Sequence, residues 1–369
     1  MSSCGDQIGI TSTIPVEVIF AAGYLPVDLN NLFISSPDKE RYVEISHEEG
    51  FPQGSCAWIK GIFGAVMDCQ AIKKVIGIVR GDCSGTEILL QALERHGVEV
   101  IPFAYPFPKN AYELIKEIDK LCRVLGTDIN EAVKWFRKLR PARERIARID
   151  LMCWRENVVS GLENHLWLVS SSDFKSDPES FANEAEEFIM EAGRRDPLDQ
   201  RYGLPFKREV RLAYVGVPPI DVGLFPLVEE MGARFVFHET QRQFSMIHSL
   251  GKPGRKEIRD ALSAVFGLGK NLQEEPEDLV SFIAQYLAYT YPYSLSDRVA
   301  DINEQCDLRR IDGVVHYVQS FCYRNMEDVI FSRELKLPFI TVECDCPGTI
   351  GAQARLRMEN FVQVLGENI

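Results

Sequence analysis

Residues 75–103 read VIGIVRGDCSGTEILLQALERHGVEVIPF. The run Val75–Val79 is apolar and breaks at Gly81. Ser84–His96 carries apolar residues at helical spacing, and Val98–Phe103 is apolar again. Strand, helix and strand joined by short links form the unit of a parallel α/β sheet. Upstream, Leu25–Leu29 reads as another strand. Cys56–Ala71 reads as a helix, with Trp58, Ile59, Ile62, Phe63, Val66 and Met67 on one stripe.

From Ala111 to about Arg195 the strand signal stops. Amphipathic helices are expected around Ile115–Leu125, Trp135–Ile149, Leu151–Val169 and Phe181–Gly193. The α/β pattern returns with strands at Arg211–Gly216, Ala233–His238, Gly313–Val318 and Phe339–Glu343. Helices are expected at Val222–Gly232, Pro276–Tyr291, Ser294–Arg309, Tyr323–Leu335 and Gly351–Leu365. The reading is an N-terminal α/β domain (1–110), a helical insertion (111–205) and a C-terminal α/β domain (206–369).

The 369 residues exceed one ordinary core. A composition of 46% apolar and 26% charged residues excludes broad disorder. A net charge of −13 argues against nucleic acid as a partner. The first basic residue is Lys39, so the start lacks the positive region of a signal peptide, and Val18–Val27 is too short to span a membrane. The expectation is a cytoplasmic protein.

Ten cysteines are unusual for such a chain. In a reducing compartment they are buried small hydrophobes or ligands of a soft metal centre. Cys83 (RGDCSG) and Cys322 (QSFCYR) each follow a strand and open a helix. Cys56 (PQGSCAW) opens a helix after a Pro/Gly loop. Ligand groups of open α/β sheets gather beyond the carboxyl ends of strands. A helix start also favours thiolate, the ligating form. These three are either metal ligands or ordinary loop cysteines. Their scatter excludes a zinc ribbon and suits an iron–sulfur cluster in an interdomain cleft. Cys344 and Cys346, after the last strand, stand as an extra ligand, a redox pair or a buried structural pair. Cys122, Cys153 and Cys306 read as structural, and Cys69 stays open.

Glu17, His238 and His316 are the remaining acid/base candidates. Glu17 and His316 also have structural readings, a helix-start carboxylate and a satisfied core histidine, while His238 ends a strand at the edge of the crevice. Lys134–Asp150 holds seven Lys/Arg against two Asp/Glu. It is a solvated helix face or a dock for an acidic partner or CoA phosphates. P-loop, GxSxG and HExxH motifs are absent, and no GxGxxG follows a strand.

The segments GITSTIPVEVIFAAGYLPVDL, GSCAW, RGDCSG and DGVVHYVQSFCYRNMED, with LPFITVECDCPGTIGAQARLRMENF, resemble the 2-hydroxyacyl-CoA dehydratase family. That family includes 2-hydroxyglutaryl-CoA dehydratase D-components, benzoyl-CoA reductase subunits and double-cubane cluster proteins. The resemblance implies two Rossmann-like domains with helical additions, and Cys56, Cys83 and Cys322 as ligands of a [4Fe–4S] cluster with one open iron. It implies radical dehydration, or reduction, of an acyl-CoA. The electron comes from a separate ATP-hydrolysing iron–sulfur activator, and the chain pairs with itself or a homologous subunit. The alternatives are a non-catalytic electron-transfer protein or a double-cubane-type small-molecule reductase. Cys69 is a candidate for one thiolate of a second cubane, but Glu239-Thr240-Gln241 offers no cysteine for it, so a single cluster is the expectation.

Overall fold

The computed structural model describes residues 6–198, 204–245, 254–266, 276–344 and 350–369. The described strands form two four-stranded sheets, both wholly parallel. The first holds β1 (Gln7–Ile10), β2 (Leu25–Asp28), β3 (Lys74–Arg80) and β4 (Glu99–Ala104), in the order β2-β1-β3-β4. The second holds β5 (Val210–Gly216), β6 (Ala233–His238), β7 (Gly313–Gln319) and β8 (Phe339–Cys344), in the order β6-β5-β7-β8. The chain is thus α/β with two Rossmann-like units of the same strand order. All of β7 is buried, as are Val75, Ile76 and Ile78 of β3, which fits parallel strands covered on both faces.

β1 escaped the sequence reading. It is only four residues long, yet it pairs with β2 and β3 and fills the middle of its sheet. The helix expected at Leu151–Val169 is two helices. One, Ile129–Trp154, starts on the Asp128 side chain, which accepts from the N–H groups of Asn130 and Glu131 at 2.8 and 3.1 Å. The chain then turns through Asn157 at φ 64°. The next helix, Gly161–Ser170, begins at a reciprocal cap in which Ser160 and Glu163 satisfy each other's backbone N–H.

The largest apolar cluster joins the first sheet to the helices Ala111–Leu125 and Ile129–Trp154. The helices Arg255–Phe266 and Pro276–Leu287 belong to the same cluster, although they follow β6 in the chain. The second sheet packs its own faces with Tyr214, Phe225, Phe235, Tyr317 and the helix Ala352–Glu367. No helix among the described residues is long and apolar enough to cross a membrane.

Candidate functional site

A cavity of about 900 Å³, counted to its open mouth, lies at the carboxyl ends of strands from both sheets. Its wall takes Thr11–Thr13 after β1, Asp28 at the end of β2, and Asp82 and Cys83 after β3. The second sheet contributes Val217 and Pro218 after β5, Thr240 after β6, and Gln319 and Cys322 from β7 and its exit. Both sheets reverse their strand order here, between β1 and β3 and between β5 and β7, which is where open α/β sheets form crevices.

Cys56, Cys83 and Cys322 all line this cavity. Each stands at the residue before a helical segment: Ala57–Asp68, Ser84–Arg95 and the 3₁₀ turn Tyr323–Glu327. The helix after Cys56 is held close to its neighbours by glycine. A Cβ on Gly61 would meet the Phe33 ring at 2.3 Å, and one on Gly64 the Tyr42 carbonyl at 2.0 Å. The turn into Cys83 passes through Gly81 at φ 100°, a conformation that disfavours a side chain. Beside Cys322, Phe321 reaches toward the Gly54 loop, with ring atoms 3.9 Å from where a side chain there would begin.

Helix starts were expected to lower the proton affinity of these thiols. Instead burial, the largest cause, raises all three, Cys56 to about 11. The N–H groups of Trp58 and Ile59 pull Cys56 down, but less than burial pushes it up. The charges of Cys83 and Cys322 add to the rise, so the three thiols sense one another. A bound metal reverses this balance, because a coordinating thiol loses its proton outright.

One wall is cationic. Arg324, two residues after Cys322, is nearly buried and lies 3.9 Å from the centre of the Tyr291 ring. It donates to Glu327 at 2.7 Å. Glu327 also accepts from Arg298 at 2.6 Å, and Arg298 donates to Glu239 at 2.8 and 3.0 Å. A chain of alternating charge thus runs from the exit of β6 to the Cys322 loop. Burial raises the Asp82 carboxyl above its ordinary value, and the Arg324 charge opposes that rise. Asp82 precedes Cys83 and Arg324 lies two residues after Cys322, so both fell within segments that carry the family resemblance. Thr11, Ser12 and Thr13 fell within another such segment, GITSTIPVEVIFAAGYLPVDL, whereas Tyr291, Asn30 and Asn31 had no sequence signal.

The other candidates lie elsewhere. Glu17 is fully buried, 2.8 Å from the Arg143 guanidinium and accepting from the Tyr286 hydroxyl at 2.6 Å, and it does not line the cavity. His238 is buried beside Asn164 and His165, and burial lowers it to about 3. His316 is buried with Nδ1 2.7 Å from Asp328, and burial holds it below its ordinary value. Cys344 ends β8 next to Tyr317 and Tyr214, outside the lining. Cys346 lies outside the described residues. Cys69 packs at the end of the helix that Cys56 begins. Cys122, Cys153 and Cys306 are core residues, each pushed by burial up to about 12. In the basic segment, Arg137 and Arg140 both reach Asp278, Arg143 reaches Glu17, and Arg145 reaches Glu186.

Among the described residues, no three His, Cys, Asp or Glu side chains stand close enough to share one metal ion. Three thiols spread around a cavity fit a larger group, since a four-iron cluster takes one thiolate per iron at separate corners of a cube. The chain matches the family model described as 2-hydroxyglutaryl-CoA dehydratase, D-component, over residues 11–365. No curated protein matches it.

Proposed function

The chain belongs to the 2-hydroxyglutaryl-CoA dehydratase D-component family, and on that premise we propose that it holds one [4Fe–4S] cluster on Cys56, Cys83 and Cys322 and removes water from a 2-hydroxyacyl-CoA. The observation that carries this reading is the arrival of three cysteines, from three separate segments and both sheets, at one cavity. When bound, the cluster supplies a low-potential electron and an iron with an open position for an oxygen. The reaction breaks the bond from C2 to its hydroxyl and removes a proton from C3, giving water and an unsaturated thioester. The electron lent at the start is returned, so no oxidant is consumed.

The chain's own residues have distinct tasks in this reading. Ile59, Ile62, Val169, Val217 and Phe244 supply apolar wall that excludes water. Thr11, Ser12, Thr13, Asn30 and Asn31 offer hydroxyl and amide groups to orient the thioester and the hydroxyl. Arg324, held by Tyr291 and Glu327, places fixed positive charge at the wall. The position of Cys344 outside the lining supports three thiolates over a closed four-thiolate electron carrier. The electron comes from a separate ATP-hydrolysing iron–sulfur activator, and the chain works as a homodimer or beside a homologous subunit.

The test is strictly anaerobic purification with iron and sulfide analysis, followed by EPR before and after addition of a 2-hydroxyacyl-CoA. About four irons per chain and a spectrum that responds to the thioester are expected. A colourless, iron-free protein overturns the reading.

A further inference from the structure

A second concave surface lies at the opposite rim of the β5–β8 sheet, where the strands begin. It encloses about 1090 Å³ counted to its open mouth, and it is lined chiefly by arginine. Arg208 and Arg211 flank the start of β5, Arg309 and Arg310 come just before β7, and Trp154 and Arg155 end the helix Ile129–Trp154.

The charges here do not cancel. Arg208 is paired with Asp312 and Arg309 with Asp150, each through two hydrogen bonds of 2.7–3.0 Å. Arg211 lies 3.9 Å from Glu209, but Glu209 is already engaged by Arg234 at 2.7 and 2.9 Å. Burial and the nearby Arg234 charge hold Arg211 below its ordinary value, as for a cation short of compensation. Its guanidinium instead accommodates the carbonyl ends of two helices, donating to Arg309 and Trp154. Arg155 and Arg310 are exposed and meet no carboxylate among the described residues. Arg310 sits at φ 52°, ψ 54°, the helix-ending conformation that glycine takes most easily.

We propose that this hollow binds a diphosphate group carried by a small molecule. Planar guanidinium groups match phosphate oxygens two at a time, and Arg155 and Arg310 are the uncommitted pair that would grip it. Inorganic pyrophosphate and a nucleoside diphosphate share this chemistry. They differ in whether a flat base is present to meet the Trp154 and Leu308 side of the hollow.

The test is calorimetric titration of the full chain with pyrophosphate and, separately, with ADP, at constant ionic strength. Saturable binding is expected, weakened at least tenfold in the Arg155→Ala/Arg310→Gly double variant. Both changes are at surface positions, and glycine suits the backbone of residue 310, so folding is retained. Equal affinities would assign recognition to the diphosphate alone, whereas tighter ADP binding, lost in Trp154→Ala, would add the base. The proposal is overturned by absence of saturation with both probes, by equal affinity in the double variant, or by an effect that sodium chloride reproduces. None of these outcomes depends on iron content, so this site and the cluster reading stand or fall separately.

Discussion

Arg298 donates two hydrogen bonds, 2.8 and 3.0 Å long, to the Glu239 carboxylate, and both side chains are sealed from solvent. Burial alone would raise the Glu239 carboxyl, but the Arg298 charge holds it below its ordinary value. Glu239→Gln leaves Arg298 with Glu327 as its remaining carboxylate. The expected loss is about 3–5 kcal/mol of stability, as for breaking a buried ion pair from one side. Urea unfolding measures it, and a loss below 1 kcal/mol would count against the pair. Because the folded carboxyl is depressed, its stabilisation is present above the unfolded value of 4.5 and is lost as pH falls below it.

Alanine in place of Cys56, Cys83 or Cys322 should each remove most of the iron, whereas Cys122→Ala should keep it. The first three line the cavity and the last is packed in the core, where truncation costs a small void. Full iron content in Cys83→Ala would refute its role as a ligand. Cys344→Ser is expected to retain the cluster, and so is Cys346→Ser.

Reversing Arg137 and Arg140 to glutamate should loosen the helix Pro276–Leu287, because both arginines grip Asp278 in its first turn. Faster amide exchange across that helix is the expected signature. Unchanged exchange together with weaker acyl-CoA binding would assign the segment to ligand docking instead.

His238 is buried and lowered from 6.5 to about 3, and burial also lowers His165 beside it well below 6.5. Between these limits the unfolded chain takes up protons that the native state refuses. Stability therefore falls as pH drops below about 6.5, by up to about 1.4 kcal/mol per pH unit for each histidine. His238→Gln should flatten the slope between about pH 6.5 and 5 by roughly one proton. An unchanged slope would mean that the native state protonates this ring.

The parallel sheets were legible because their longer strands are runs of buried apolar residues. β1 was not, since four residues carry too little periodicity, and its central place comes from pairing with distant segments. The cavity's three cysteines could be picked out because each sits between a strand or loop and a helix. The geometry that joins them comes from tertiary packing, such as the Phe321–Gly54 approach. Tyr291 follows a helix whose pattern said only that it was apolar, and its contact with Arg324 spans 33 residues of chain. Glu17 is the helix-start carboxylate that was expected, in the first turn of Val16–Ala21, but its partners Arg143 and Tyr286 are more than a hundred residues away.

The three core cysteines have a practical use. Cys122, Cys153 and Cys306 are buried in the core, whereas Cys56, Cys83 and Cys322 are partly exposed, so alkylating reagents that need an accessible thiolate should pass the first three by in the folded protein. They serve as internal blanks in a mass-spectrometric footprint. Label appearing on Cys56, Cys83 and Cys322 after a chelator is added, while the blanks stay unlabelled, reports occupancy of the cavity peptide by peptide. Label on the blanks as well would signal unfolding, so one digest separates loss of the bound group from loss of the fold.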